Sequence, residues 1–387
     1  MTPVRDRRRS TNTERSRMWD SVIAAADDRT ATETMMPVEL SADHVEAIEV
    51  GFAKPTGRGS RTPLPVSEMV IDTSTFTEFN RRYRVHERLD GGGMATVVLA
   101  RQHALARDVA VKVQRKDDSP TRRLLFRAEA LVTAYLEHPN IVPVYDAADN
   151  CLVMRRVRGS SLAALINERT SDKELPRLIE AIVRACDAIA FAHSRGIMHR
   201  DIKAENVMVG EFGEVLVVDW GLALSFAPGP DGEWHAPRLD HCPSVCAGTP
   251  GCVPPEIARG EREEVGAHTD LHMLGGMLYH VLAGHMPFDH QDRMEALLLA
   301  AGNLYPPLAK EAPSAPARLV RASERAMAFL PEERGTIAEF VTDLRTWLGR
   351  EVARDHDASG RRSRAMPPAP IQIGFKRRLL RAFGIGS

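Results

Sequence analysis

The sequence predicts an α+β fold in two lobes, a small β-rich lobe followed by a larger helical one. Three observations carry this. Short segments with strand-like patterning crowd the region from about residue 83 to 155; longer segments with apolar residues three and four apart dominate after it; and apolar density falls away on both flanks. The division that follows is 1–78, a disordered or regulatory N-terminal segment, then a folded domain over 79–348, then a polar tail over 349–387 with a basic amphipathic end. The first segment is rich in Ser, Thr, Arg and Pro and has few aromatics, too little apolar surface to offset chain entropy.

The elements follow in order. Residues 83–89 and 96–100 predict two strands around a glycine-rich turn, 108–113 a third, 122–136 a helix, and 142–146 and 151–154 two further short strands. Residues 176–194 predict a helix, with Pro176 near its first position, where a missing N–H costs nothing. Its Leu178, Ile182, Ala185, Ile189 and Ala192 share one face. Residues 207–209 and 215–218 predict a hairpin, and the largely apolar 270–282 a helix buried on most sides. Helices over about 318–328 and 337–348 close the domain.

Composition excludes some classes of function. A net charge of -1 gives no global field toward nucleic acid, and nucleic acid is not an expected partner. No apolar run is long enough to cross a bilayer. The Arg-rich start lacks the apolar stretch of a secretory signal, and five cysteines make no disulfide framework at this length, so the expected setting is reducing and cytoplasmic.

Three motifs carry chemistry. Gly91, Gly92 and Gly93 lie between the first two strands. Backbone N–H groups approach a phosphate closely only where side chains are missing, so the triplet fits a phosphate cradle, and a plain hairpin turn equally well. Val109-Ala110-Val111-Lys112 sets a cation in an apolar strand. Phosphate oxygens and Glu129 from the next helix would pair it; a lysine snorkelling from an edge strand is the plainer alternative. The decisive stretch is His199-Arg200-Asp201-Ile202-Lys203-Ala204-Glu205-Asn206, followed by Asp219-Trp220-Gly221.

With these motifs in this order, the region from about 83 to 348 resembles the bacterial branch of the eukaryotic-type (Hanks-type) serine/threonine protein kinases. The resemblance implies the two-lobed protein-kinase fold, ATP and Mg²⁺, and protein substrates, with self-phosphorylation and a dimer to perform it. At matching positions it implies that Asp201 accepts the proton of the substrate hydroxyl, that Asn206 and Asp219 hold Mg²⁺, and that Lys203 sits near the γ-phosphate. Lys112 would pair with the α/β-phosphates and be oriented by Glu129. Leu89, Gly91, Gly92, Gly93, Val97, Ala110 and Met154 would frame the nucleotide, with Arg155-Arg156-Val157 as the hinge. Lys203 and Gly248-Thr249-Pro250 mark serine/threonine rather than tyrosine kinases, and Thr249 would bond toward Asp201 and Lys203. Glu256 with Arg334, and Asp270 under the catalytic loop, take structural roles.

The pattern departs from the family in several places. Asp90 stands where the family has its first loop glycine and brings a negative charge toward the nucleotide; Ala95 replaces the last one. Trp220 replaces the usual Phe and would fill the same slot between the lobes. The segment 219–256 carries His235, His241, Cys242, Cys246 and Cys252, which read as a soft metal or disulfide site or as coincidental residues of a loop. Arg200 before the catalytic Asp implies a segment ordered by phosphorylation, with Ser244 the better acceptor and Ser225 the next. The basic stretch 375–383 suits peripheral contact with an anionic membrane, or a solvated tail. The alternatives to an active kinase are a pseudokinase scaffold with weak nucleotide binding, which Asp90 favours, and a small-molecule kinase of similar fold, which Gly248-Thr249-Pro250 and Pro255-Glu256 oppose.

Overall fold

A computed structural model of the chain describes residues 79, 81–91, 95–114, 120–148, 150–242 and 245–364. The N-terminal segment 1–78, the loop residues Gly92 and Gly93, the candidate phosphoacceptor Ser244 and the basic stretch 375–383 lie outside the described residues. The described residues through Arg345 form one compact unit, and a second begins at Thr346.

The strands come first, and they explain where the site forms. β1 (Tyr83–Gly91), β2 (Ala95–Gln102), β3 (Arg107–Gln114), β4 (Val144–Ala148) and β5 (Cys151–Arg155) make an antiparallel sheet in the order β1-β2-β3-β5-β4. Side chains alternate across a strand, so each face has its own set. Val98, Ala100, Val109, Val111, Val113, Cys151 and Val153 pack together on one face with Phe79 and Tyr83, whose rings stack at 4.8 Å. The other face carries Leu152, with Val144 and Met154, against Phe126 and Ala130 of helix α1 (Pro120–Tyr135). Ala110 and Lys112 alternate with the valines of β3 and therefore lie on the face that receives α1. Register shifts at 85/87 and 88/90 bend β1 as it approaches the glycine turn.

The helical part is built on α3 (Leu175–Ser194) and α5 (Ala267–Ala283). In α3 the predicted apolar face is buried, Leu178, Ile182, Ala185, Ile189 and Ala192 included. α5 is buried on all sides from Thr269 to Leu282, and its first turn is closed by Thr269, whose hydroxyl oxygen accepts from the Gly266 N–H at 3.0 Å. Short strand β6 (Gly159–Ser161) leads into α2 (Leu162–Glu168) and pairs with the hairpin of β8 (Val207–Gly210) and β9 (Val215–Val217). β7 (Ile197–Met198) pairs with β10 (Leu224–Ser225). Residues 199–206 and 219–221 therefore hang between paired strands, presented by a fixed frame. α4 (Pro255–Arg259), α6 (Arg293–Gly302), α7 (Leu308–Glu311) and α8 (Ala317–Ala326) complete the unit.

One element differs from expectation. α9 (Ile337–Arg364) runs well beyond the predicted end at 348. Gly349 weakens a helix by only about 1 kcal/mol, and helix-forming Arg, Glu and Ala follow it with no proline before Pro367.

Candidate active site

Register assembles the first part of the site. Val97 of β2 lies opposite Lys112 of β3, Lys112 opposite Leu152 of β5, and Ala110 opposite Met154. α1 then brings Glu129 to this face. Lys112 Nζ sits 2.6 Å from Glu129 Oε1 and 2.9 Å from Asp219 Oδ1. Burial works against the lysine's charge, but the carboxylates of Asp219 and then Glu129 overcome it and hold the ammonium well above its ordinary range. Leu89 remains exposed at the end of β1. Gly91 closes β1 opposite Thr96, and the backbone of Asp90 pairs with Val97; the Asp90 side chain lies outside what is described.

The second part is the loop after β7. Arg200 has φ 68 and Asp219 φ 61, left-handed values that cost a non-glycine residue roughly 1–2 kcal/mol each. At Arg200 the conformation is held by Asp270 from α5. Its two oxygens accept the backbone N–H groups of His199 and Arg200, both at 2.9 Å, and Oδ2 also meets His193 Nε2 at 2.7 Å. Burial pushes the Asp270 carboxyl upward, but His193 and the Arg200 N–H hold it below the usual carboxylate range. Burial pushes the His199 pKa below its ordinary value, against the pull of Asp270, Asp201 and Asp219. Its Nδ1 accepts the Asp201 N–H at 3.2 Å, so Nε2 carries the proton toward Val218 O at 3.3 Å.

These supports deliver Asp201. Its Oδ1 accepts the Thr249 hydroxyl at 2.8 Å, and its Oδ2 lies 3.0 Å from Lys203 Nζ. Lys203 also donates to Thr249 Oγ1 at 2.5 Å. Burial opposes the Lys203 charge and Asp201 more than compensates, raising its pKa. Asn206 donates its amide to Asp201 O at 2.7 Å and Oδ2 at 3.2 Å. The amide nitrogen being committed, its oxygen is the atom left to offer a cation, and with the half-exposed Asp219 carboxylate (46% accessible) it makes an all-oxygen donor pair of the kind Mg²⁺ takes. Thr249 reaches Asp201 because Gly248 has φ +142, where a Cβ would come within 2.5 Å of Val253 Cγ1.

Behind this layer, Glu256 and Arg334 form a two-pronged pair at 2.7 and 2.8 Å. Trp220 is buried beside the His199 ring at 4.6 Å. Its indole N–H has no hydrogen-bond partner among the described residues.

Several arrangements carry no clear mark in the sequence. The Lys112–Asp219 contact joins groups 107 residues apart. Arg200, expected to face a phosphate, is buried and donates to two neutral carbonyls, Leu222 O at 3.4 Å and Val245 O at 2.6 Å. Among the described residues no three His, Cys, Asp or Glu side chains group as metal ligands, and none of the five cysteines is in a disulfide. Cys252 instead packs its sulfur on Met286 Sδ at 3.4 Å, and burial drives its thiol far above the ordinary range.

Comparison with known proteins gives the same answer as the geometry. The family described as protein kinase domain matches residues 83–338. The serine/threonine-protein kinase PknB of Mycobacterium tuberculosis (strain ATCC 25177 / H37Ra) is 38% identical over 226 residues, 56% of this chain and 34% of that protein. PknB of Mycolicibacterium smegmatis is 39% identical over 218 residues, 54% and 33% of the two chains. The serine/threonine-protein kinase PrkC of Bacillus subtilis is 32% identical over 274 residues, 68% and 40%. The matched region is thus about a third of the length of the first two and 40% of the third. With the matched region running from the first strand into the last helix, this chain belongs to the protein kinase domain family.

Proposed function

We propose that this chain is a serine/threonine protein kinase that transfers the γ-phosphoryl group of ATP to hydroxyls of proteins, its own included. The observation that carries the reading is the Asp201 carboxylate, fixed by Thr249, Lys203 and Asn206, together with a Lys112 paired with Glu129 and Asp219. Asp201 orients the incoming hydroxyl and takes its proton as the oxygen bonds to phosphorus. Lys203 supplies positive charge where the transferred group gathers negative charge, and Lys112 anchors the nucleotide phosphates. Asn206 and Asp219 would hold Mg²⁺, which neutralises phosphate charge when bound. Thr249, bonded to both Asp201 and Lys203, ties the segment that meets a protein substrate to the catalytic loop.

The test is transfer from γ-labelled ATP with Mg²⁺ to the chain itself and to a generic protein acceptor. Label should appear on Ser and Thr and not Tyr. Asp201→Asn, nearly isosteric, should lower the rate by about 10²-fold or more while leaving nucleotide binding intact. Retention of the wild-type rate by that variant would refute the role of Asp201; nucleotide binding without transfer by wild type would make the chain a scaffold.

The cytoplasmic setting rests on composition. Membrane contact through 375–383 rests on its basic and apolar residues, and co-sedimentation with anionic but not neutral vesicles is its test.

A further inference from the structure

The chain between β10 and Arg238 takes no part in the chemistry above, yet it is closely built. It leaves and returns at one place: the Ser225 N–H donates to Pro237 O at 2.8 Å, and Ser225 bridges Arg238. Just past its exit, the Phe226 N–H donates to Gly196 O at 2.9 Å. Ends this close define an Ω-loop. Its tip is a turn in which the Gly229 N–H donates to Glu233 O at 2.7 Å and the Glu233 N–H to Asp231 Oδ1 at 3.1 Å. Asp231 Oδ2 in turn holds His235 Nε2 at 2.7 Å.

The fixed His235 ring stacks on Tyr135, with centroids 3.7 Å apart and planes 12° from parallel. Tyr135 is the last residue of α1, the helix that carries Glu129. The Tyr135 hydroxyl is buried without a hydrogen-bond partner among the described residues, and the loop engages the tyrosine through its ring and by close packing. A Cβ on Gly229 would come within 2.9 Å of both Asp231 Oδ1 and Tyr135 Oη, so the turn packs closely on the tyrosine. The Arg195 guanidinium lies 5.9 Å from the Tyr135 ring centre and 5.1 Å from that of Phe191, so the end of α3 meets the same tyrosine.

We propose that this loop is a latch on α1. Asp231 fixes His235, His235 fixes Tyr135, and Tyr135 holds the helix so that Glu129 stays on Lys112. His235 and Tyr135 are then positioning residues for the transfer reaction, acting through Glu129 six residues, about 9 Å, up the helix. The proposal rests on the kinase reading. It differs from control by a phosphate paired with Arg200, because the latch is a ring contact between two segments braced by Asp231, while the guanidinium of Arg200 is already bonded to carbonyls.

The experiment uses the full chain with His235→Ala, His235→Phe and Tyr135→Phe, and His235→Ala combined with Glu129→Gln. A stacked pair is worth enough to shift a helix between two positions a few-fold to about tenfold. His235→Ala should lower kcat by that factor with KM for the protein acceptor little changed, and should speed amide hydrogen exchange along α1. Tyr135→Phe, which keeps the ring and loses only the hydroxyl, should leave both readouts at wild-type values, and His235→Phe, which keeps the stack but loses the Asp231 bond, should fall between wild type and His235→Ala. In the Glu129→Gln background His235→Ala should cost nothing further, because the group it positions is gone. Unchanged kcat and unchanged exchange in His235→Ala would overturn the latch, as would full additivity with Glu129→Gln. If wild type transfers no phosphate, the kinase reading fails, and hydrogen exchange in α1 still decides whether the loop holds the helix.

Discussion

Glu256 and Arg334 offer the sharpest energetic test, because both side chains are shut from water, at 1% and 0% accessible. Two charges so buried are stable only together. Glu256→Ala leaves the guanidinium with the carbonyls of Ala328, His268 and Phe329, at 2.9, 3.1 and 3.2 Å. Those neutral acceptors keep the N–H groups bonded but do not cancel the charge. The loss should therefore sit near the lower end of the range for breaking a buried pair, about 3 kcal/mol. For a domain of this size that lowers the melting temperature by roughly 6–12 °C. Arg334→Ala leaves Glu256 with the Thr269 hydroxyl at 3.0 Å and should cost about as much. The double variant strands no charge. It should lose about 3 kcal/mol rather than the sum of about 6, a coupling of about 3 kcal/mol. Urea unfolding of the four proteins at pH 7, with similar slopes, measures it. Losses that add to within about 0.5 kcal/mol would show that the two charges do not depend on each other, and the reasoning would fail.

Three further outcomes are expected. Lys112→Met should lower transfer by about 10²-fold or more and take from buried Glu129 the ammonium 2.6 Å away; adding Glu129→Gln should recover none of the activity, and wild-type turnover in Lys112→Met would remove the lysine from the site. Burial, and then the Arg334 charge, push His272 down to about 3, so it is neutral in the fold and takes a proton only on unfolding below its ordinary pKa of about 6.5. Its contribution is complete above that pH and is lost as pH falls, at up to about 1.4 kcal/mol per pH unit, with buried His199 and His280 acting in the same direction; His272→Gln should flatten the fall in melting temperature between about pH 6.5 and 5, and an unchanged slope would exclude His272 as a source. Asp90→Asn should lower the Michaelis constant for ATP several-fold, about 1 kcal/mol, and do so less at high salt; no change at any ionic strength would make Asp90 a bystander.

How much of this was legible in the sequence depends on the kind of signal. β3 could be read because its valines alternate with Ala110 and Lys112, and alternation fixes which face a side chain occupies. α3 could be read because five apolar residues repeat at helical spacing, and α5 because it is apolar almost throughout. Asp201, Asn206 and Asp219 stood out through the resemblance of their motifs to a known family, which survives without any knowledge of packing. What could not be read were contacts between segments with no periodic pattern. His235 and Tyr135 are 100 positions apart, one in a loop of Pro, Gly and Asp, and no spacing rule joins them. Arg200 was legible as a cation but not as one solvated by main-chain carbonyls, since a carbonyl partner leaves no trace in residue type. The length of α9 was missed for a related reason: a charged, propensity-driven helix carries no apolar stripe to mark its end.

Three aspartates around the site differ mainly in how completely their oxygens are used, and that difference sorts what each can do. Asp270 is fully buried and meets two backbone N–H groups and His193, so its oxygens are committed to the frame and its removal would release the left-handed turn at Arg200. Asp201 is almost as buried, but its donors are side-chain ends, a hydroxyl, an ammonium and an amide, each of which can turn away or be shared when a substrate hydroxyl arrives. Asp219 is nearly half exposed, bonded through Oδ1 to Lys112 and to the Gly221 N–H at 3.3 Å, and sits in its own left-handed turn. A carboxylate saturated by backbone donors cannot respond to chemistry, because moving it means moving the chain. One held by mobile side chains can accept a proton at constant backbone geometry, and one facing solvent can accept a cation without first expelling the protein around it. The order from Asp270 through Asp201 to Asp219 is therefore one of oxygens progressively less committed to the frame, which suits the support, proton-acceptor and cation-ligand roles proposed for them.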